Sequence, residues 1–436
     1  MHAQLQAIIP DFQKQDSKPR LGLELEMLAY DSETFAPLGT EAARVTSQEM
    51  MQRIQALAPG SHLKVDAPTG EIIGLELTSG NFSLEPGGQI EYASAPQDDL
   101  QGVLDDLASG LSLMEQAGSG EVVFLDHGTN PLAGDELPLL VPKHRYQILN
   151  RYFASQPGGR GVHMMRYSAT AQPNVDVIGH ASWLDAVNLT LTLTPLARAL
   201  FANSLYFHGK LLGPGSERQR IWEAIDATRT GIPPVAFVTD LPGAYAEWGR
   251  KAYVFLAGDL PLEEQPRYGE LTFQQWQEEG YKGTKPTPED WETHLGTLFP
   301  DLRLRRFLEV RMVDAQDFRH ALAPMAFWAV ALQRTQSRAC IWNWLEQLAA
   351  QAGVKSANKL ITLSSHLPIF SDPSTLKGLL DCVISQCQTD LERRSLSAYR
   401  NWLDERQSLV YPESALDFVR ANATLEPSKA LKAFLV

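Results

Sequence analysis

Leu84-Glu85-Pro86-Gly87-Gly88-Gln89-Ile90-Glu91 sets two carboxylates and an amide around a Pro-Gly-Gly bend, inside an otherwise apolar run. A strand that only fills a core has no use for those groups. The same pattern occurs at Leu21 to Leu28, where Leu21, Leu23, Leu25 and Met27 alternate with Gly22, Glu24, Glu26 and Leu28. Alternate residues of a strand lie on opposite faces, so one face is hydrocarbon and the other carries two carboxylates about 7 Å apart. Paired, partly buried carboxylates repel unless a positive group sits between them, and a divalent metal serves that purpose. In Gln172-Pro173-Asn174-Val175-Asp176-Val177 the polar side chains again fall on alternate positions. In Phe307-Leu308-Glu309-Val310-Arg311-Met312, Glu309 and Arg311 share a face opposite Leu308, Val310 and Met312. Any one of these is explained by an exposed amphipathic strand. Together they predict one antiparallel sheet, packed on helices on one face and holding oxygen ligands for a hard cation such as Mg²⁺ on the other.

The chain has 436 residues, enough for a large core, with 44% hydrophobic and 21% charged residues. A net charge of −14 argues against nucleic acid or an anionic membrane as the main partner. No run approaches a membrane span, and the first twenty residues lack the basic and apolar regions of a signal peptide. The three cysteines, Cys340, Cys382 and Cys387, are sparse, odd in number and not at zinc spacing. They fit thiols in a reducing compartment, hence a cytoplasmic protein, and this composition suits an enzyme.

Thr46-Ser47-Gln48-Glu49 is a capping box that starts a helix stopped by Pro59-Gly60. Gln97 to Gly118 reads as a helix, Val122 to Leu125 as a strand, and 126–142 as a loop. A helix begins near Lys143, Ser155 to Gly161 is a turn, and Ala181 to Ser204 is an apolar helix. Thr287 caps a helix that opens with Pro288. After Arg319 the chain reads as helices to its end. The polar strand faces run from residue 24 to 311, which predicts one catalytic domain over 1–436: core motifs in 20–330 and a helical C-terminal portion over 331–436. Cations come from Lys143-His144-Arg145, from Arg218 and Arg220, and from Arg229. Arg311 shares the polar face of Glu309, whereas Arg303, Arg305 and Arg306 read as surface positions.

These segments, in this order, resemble the glutamate–cysteine ligase family, in the branch with the plant-type and actinobacterial ergothioneine-pathway enzymes. The resemblance rests on Gly22-Leu23-Glu24-Leu25-Glu26, on Glu85 to Glu91, and on Pro142-Lys143-His144-Arg145-Tyr146 with Met164-Met165. Gln172 to Asp176, Leu200-Phe201-Ala202-Asn203-Ser204, and Arg220-Ile221-Trp222 with Asp226 and Arg229-Thr230-Gly231 continue it. His294 to Pro300 and Leu308-Glu309-Val310-Arg311 close it, so that it covers about residues 20–330. It implies an α+β, glutamine-synthetase-like fold: a curved antiparallel sheet with helices on one face. It implies an ATP-dependent ligase that makes γ-glutamylcysteine through γ-glutamyl phosphate, on the route to glutathione, from L-glutamate, L-cysteine and ATP. Mg²⁺, or alternatively Mn²⁺, would be held by Glu24, Glu26, Glu85, Glu91 and Glu309. Gln172, Asn174 and Arg311 would face ATP, with Arg311 on the transferring phosphate. Arg145 and Arg229 would hold the glutamate carboxylate. Pro173 stands where members usually carry a β-branched residue, which suits a sheet edge or bulge. Met312-Val313-Asp314 replaces the plant-type Gly-Ala-Asp. Two alternatives stay open: a ligase joining glutamate to another amine, and a non-catalytic glutamate- or nucleotide-binding homologue.

Overall fold

The Leu21–Leu28 alternation forms the central strand of a nine-stranded antiparallel sheet. The computed structural model describes residues 18–132, 140–213, 215–363 and 367–433. Part of the 126–142 loop, and most of the stretch examined for a signal peptide, lie outside these residues. The strands are β1 (Leu21–Asp31), β2 (His62–Val65), β3 (Ile72–Glu76), β4 (Asn81–Leu84), β5 (Ile90–Ala93), β6 (Val122–Leu125), β7 (Ala171–Val175), β8 (Leu302–Leu304) and β9 (Leu308–Val310). Their order across the sheet is β8-β9-β7-β1-β5-β4-β3-β2, with β6 also pairing with β1.

The register turns alternation into a site. Residues directly opposite each other in an antiparallel pair project from the same face. Glu26 lies opposite Glu91, which lies opposite Ser83. Glu24 lies opposite Gln172. Asn174 lies opposite Glu309, and Glu309 opposite Arg303. Three polar rows therefore cross one face. The other face presents Leu21, Leu23, Leu25, Met27, Phe82, Leu84, Ile90, Tyr92, Leu308 and Val310, all buried. It packs on helices Ser47–Leu57, Leu100–Gly118 and Ala323–Gln333.

Helix starts follow local chemistry. Thr46 and Glu49 form the expected capping box, and Thr287 with Asp290 forms another ahead of Pro288–Gly296. The predicted apolar helix runs His180–Leu200, and from Ala323 onward the regular elements are all helical. One apolar cluster extends from Leu21 to Leu431, so these C-terminal helices share the core of the sheet. Among the described residues no helix is long and apolar enough to cross a membrane.

The Pro-Gly-Gly bend is the turn joining β4 to β5, not the interior of one strand. Gly88 adopts φ +82°, and its N–H donates to the Glu85 carbonyl at 2.9 Å. Gln89 does not face solvent: its Oε1 accepts from Gly87 N–H (2.9 Å) and its Nε2 donates to the Ser168 carbonyl (2.8 Å). A Cβ on Gly87 would stand 2.1 Å from the Arg166 carbonyl oxygen, so backbone meets backbone there. Gly87→Ala must push the turn and Glu85 away from the Gly161–Tyr167 helix. The expected loss is about 1–3 kcal/mol, measured as a lower urea midpoint with unchanged slope; a wild-type midpoint would refute the close approach.

Candidate active site

All five glutamates singled out by their strand positions line one cleft of about 350 Å³, together with Arg145, Gln172, Trp222, Arg303, Arg305 and Arg311. The carboxylates divide into four and one. Glu24, Glu26, Glu85 and Glu91 are half-buried and their partners are neutral. Glu24 accepts from Asn174 Nδ2 at 2.9 Å. Glu26 accepts from Thr170 N–H (2.9 Å) and Gln172 Nε2 (3.3 Å). Glu91 accepts from the Ser83 hydroxyl at 2.5 Å, and Glu85 from the Tyr146 hydroxyl at 3.5 Å. Desolvation and mutual repulsion follow. Burial, then Glu91 and Glu309, push Glu24 up to about 8. Burial, then Glu85, pushes Glu91 up to about 7. Burial, then Glu85 and Glu91, hold Glu26 well above the usual carboxylate range. Glu85 is also raised, by burial, although Lys143, Arg145 and Arg311 counter it.

Glu309 is different. Its Oε1 pairs with Arg303 (3.0 Å) and Arg311 (2.5 Å), and its Oε2 with Arg305 (2.7 Å). Burial alone would raise it, but the three guanidiniums outweigh that and hold it down at about 2. Both oxygens of Glu309 are thus ion-paired, unlike those of the other four glutamates. Arg303 is a correction. It is buried, not a surface residue, and it also donates to the Leu298 carbonyl at 2.8 Å. Arg305 lines the cleft; Arg306 is exposed as expected. The signal was present in Leu302-Arg303-Leu304-Arg305, whose alternation is that of a strand, but a basic run reads first as surface.

Gln172 and Asn174 both point to the acidic face. Pro173 is not on an edge strand, since β7 lies between β1 and β9. It is tolerated because the β9 ladder covers only Asn174 and Val175. Arg311 Nη1 donates to Gln172 Oε1 as well as to Glu309, both at 2.5 Å. Arg145 is exposed at the cleft and makes no hydrogen bond or ion pair among the described residues. Arg229 does not reach the cleft. It is fully buried, with Nε on Asp226 (2.8 Å), Nη1 on the Thr297 carbonyl (2.9 Å) and Nη2 on the Tyr253 carbonyl. Its guanidinium also lies over the Tyr152 and Phe255 rings. Each of its nitrogens is hydrogen-bonded, and these bonds tie it to the wall that carries Phe255 and Thr297. Trp222, which lines the cleft, was not singled out from the sequence.

The donor set fits a hard cation. It is all oxygen, four of its carboxylates are raised chiefly by burial, and Asn174 Oδ1 is buried without a hydrogen-bond partner among the described residues. Among the described residues no three acidic, histidine or cysteine side chains already converge as a metal cage.

The model of glutamate–cysteine ligase family 2 matches residues 20–405. Curated relatives include chloroplastic glutamate–cysteine ligases. That of Brassica juncea is 32% identical over 394 residues, spanning 87% of this chain and 73% of the relative. That of Arabidopsis thaliana is 30% identical over 407 residues, spanning 90% and 74%. Among solved structures, the glutamate–cysteine ligase of Francisella tularensis in complex with AMP superposes with a TM-score of 0.50 at 10% identity, over 97% of this chain and 90% of that one. That likeness shows the α+β fold. The protein is an enzyme of the carboxylate–amine ligase class. It belongs to glutamate–cysteine ligase family 2.

The raised carboxylates have a pH signature. A carboxylate whose folded pKa lies above its unfolded value of about 4.3 destabilises the fold increasingly as pH rises through that interval. Glu24, raised to about 8, carries the loss up to about pH 8. His127, His294 and His320 are lowered by burial and act in the opposite sense, but their effect is complete above about pH 6.5. In chelator, melting temperature should therefore fall between about pH 6.5 and 8.5, and Glu24→Gln should flatten the fall. The same slope in both proteins would show that Glu24 does not titrate there.

Proposed function

We propose that this enzyme joins the γ-carboxylate of L-glutamate to the amine of L-cysteine, using ATP and passing through γ-glutamyl phosphate. One observation carries the assignment: four under-neutralised glutamates share a cleft with Arg145 and Arg311. Mg²⁺ or Mn²⁺ held by Glu24, Glu26, Glu85 and Glu91 would neutralise phosphate charge when bound. Gln172 and Asn174 orient Glu26 and Glu24 through their amide N–H groups, and would stand beside the nucleotide phosphates. Arg145, exposed at the cleft and without an ion pair among the described residues, holds the glutamate α-carboxylate.

A γ-carboxylate oxygen of glutamate attacks the terminal phosphorus of ATP, and the bond to the bridging oxygen breaks as ADP leaves. Charge spreads over the transferred oxygens, where Arg311, held at Nη1 by Glu309 and Gln172, supplies positive charge. The cysteine amine then attacks the acyl carbon, phosphate leaves, and the amine loses a proton. Neither step needs a side-chain nucleophile.

The remaining assignments go with this chemistry. The shared core supports one catalytic domain over the whole chain. Three free thiols suit a reducing compartment, here the cytoplasm, whereas the plant relatives are named chloroplastic. The acidic balance favours small-molecule substrates over nucleic acid. The product would feed glutathione synthesis.

Arg311→Lys keeps the charge and loses the planar fork. Turnover should fall about 10²-fold or more, the scale of losing one preorganised donor, with a smaller change in KM for ATP. Near-normal turnover would remove Arg311 from the chemistry. Glutamate-dependent ADP release should be stimulated most by cysteine, with 2-aminobutyrate close behind. A pocket separating near-isosteres has only about 1–3 kcal/mol available unless it hydrogen-bonds the differing group. If ammonia or an unrelated amine far exceeds cysteine, a ligase with another acceptor replaces this assignment. If no amine stimulates release, a non-catalytic homologue does.

A further inference from the structure

A second chamber of about 310 Å³ adjoins the acidic cleft, lined among others by Arg198, Arg218, Thr230 and Asp301. Only Trp222, Phe299 and Arg311 line both cavities. Trp222 lies in the last turn of the short Glu217–Glu223 helix and meets Phe299 edge to face, with centroids 6.0 Å apart at 88°. The Arg218 guanidinium lies 4.9 Å from the centre of the indole ring and that of Arg311 lies 5.9 Å from it. Arg218 Nη2 also donates to the Arg311 carbonyl at 3.1 Å. The indole N–H is buried and has no hydrogen-bond partner among the described residues. Trp222 therefore serves through its aromatic faces and bulk, not its polar edge.

The bonds of Arg311 explain why such a surface is needed. Nη1 carries both side-chain hydrogen bonds, to Glu309 and Gln172, and Nε is buried without a partner. Two bonds converging on a single nitrogen restrain that corner of the guanidinium and leave its plane free to swing. An aromatic face within about 6 Å attracts a guanidinium and favours stacking. We infer that Trp222 is a positioning residue: it fixes the plane of Arg311 at the wall between the two chambers and so aligns the cation that meets the transferring phosphate. This rests on the role given to Arg311 above.

The experiment is a double-mutant cycle on Trp222→Leu and Arg311→Lys, with Trp222→Phe as the conservative control. A cation–π contact of about 0.5–2 kcal/mol corresponds to about 2- to 30-fold in rate. Trp222→Leu should lower kcat in that range and leave KM for glutamate and cysteine within about twofold. Trp222→Phe should recover most of the loss. In the Arg311→Lys background Trp222→Leu should have little further effect on kcat, because the plane it aligns is gone. Additive losses, or a loss confined to KM, would overturn the inference. A kcat loss that Phe does not recover, paralleled by a lower melting temperature, would also overturn it and mark Trp222 as packing only. Should Arg311→Lys alone leave kcat unchanged, the chemistry assigned to Arg311 fails; coupling of the two sites in melting temperature would then still show whether the indole holds the guanidinium.

Discussion

Negative charge crowded onto one face of a sheet is the constraint around which this site is arranged. Glu24, Glu26, Glu85 and Glu91 are half-buried and hydrogen-bonded to neutral donors, so each carboxylate is desolvated and feels the others. An isolated fold would relieve this by protonation. A bound cation relieves it while keeping the charge, which is why an oxygen-rich cleft of this kind suits a reaction on a polyphosphate. The hydrocarbon on the opposite face holds the arrangement in place: slipping any strand by one residue would send Leu23 or Ile90 into the cleft and its glutamates into the core.

The arginines divide the labour by burial. Arg303 is committed to Glu309 and to a carbonyl, and Arg229 to Asp226 and two carbonyls. Losing Arg229 would leave the buried Asp226 without its ion-pair partner, whereas Glu309 would keep Arg305 and Arg311 if Arg303 were lost. Arg145 stays exposed at the cleft and makes no hydrogen bond or ion pair among the described residues. Arg311 lies between these extremes, restrained at one nitrogen and against an indole face. Restraint without saturation suits the phosphate-binding role proposed for Arg311, because a preorganised cation needs little reorganisation.

Much of this was legible in the chain itself. Alternation with a period of two marked β1, β7 and β9 and gave the common face of Glu24, Glu26, Gln172, Asn174 and Glu309. The capping boxes at Thr46 and Thr287 gave helix starts, since their hydrogen bonds are local. The order of motifs pointed to the family that residues 20–405 match.

The sequence by itself determined which side chains share a strand face and where helices begin, because both follow from neighbours within a few residues. Only the tertiary structure decided which charges are free. Arg229 is enclosed by Asp226, Thr297 and Tyr253, and Arg303 looked like surface until β8 paired with β9 beside Glu309. Pro173 suited an edge until the short β9 ladder showed how an inner strand accommodates it. Trp222 was legible only as part of the Arg220-Ile221-Trp222 motif, since its neighbour Arg311 is 89 positions away along the chain (311 minus 222). A charge's role depends on desolvation and on partners brought in from distant segments, and neither is encoded in local spacing.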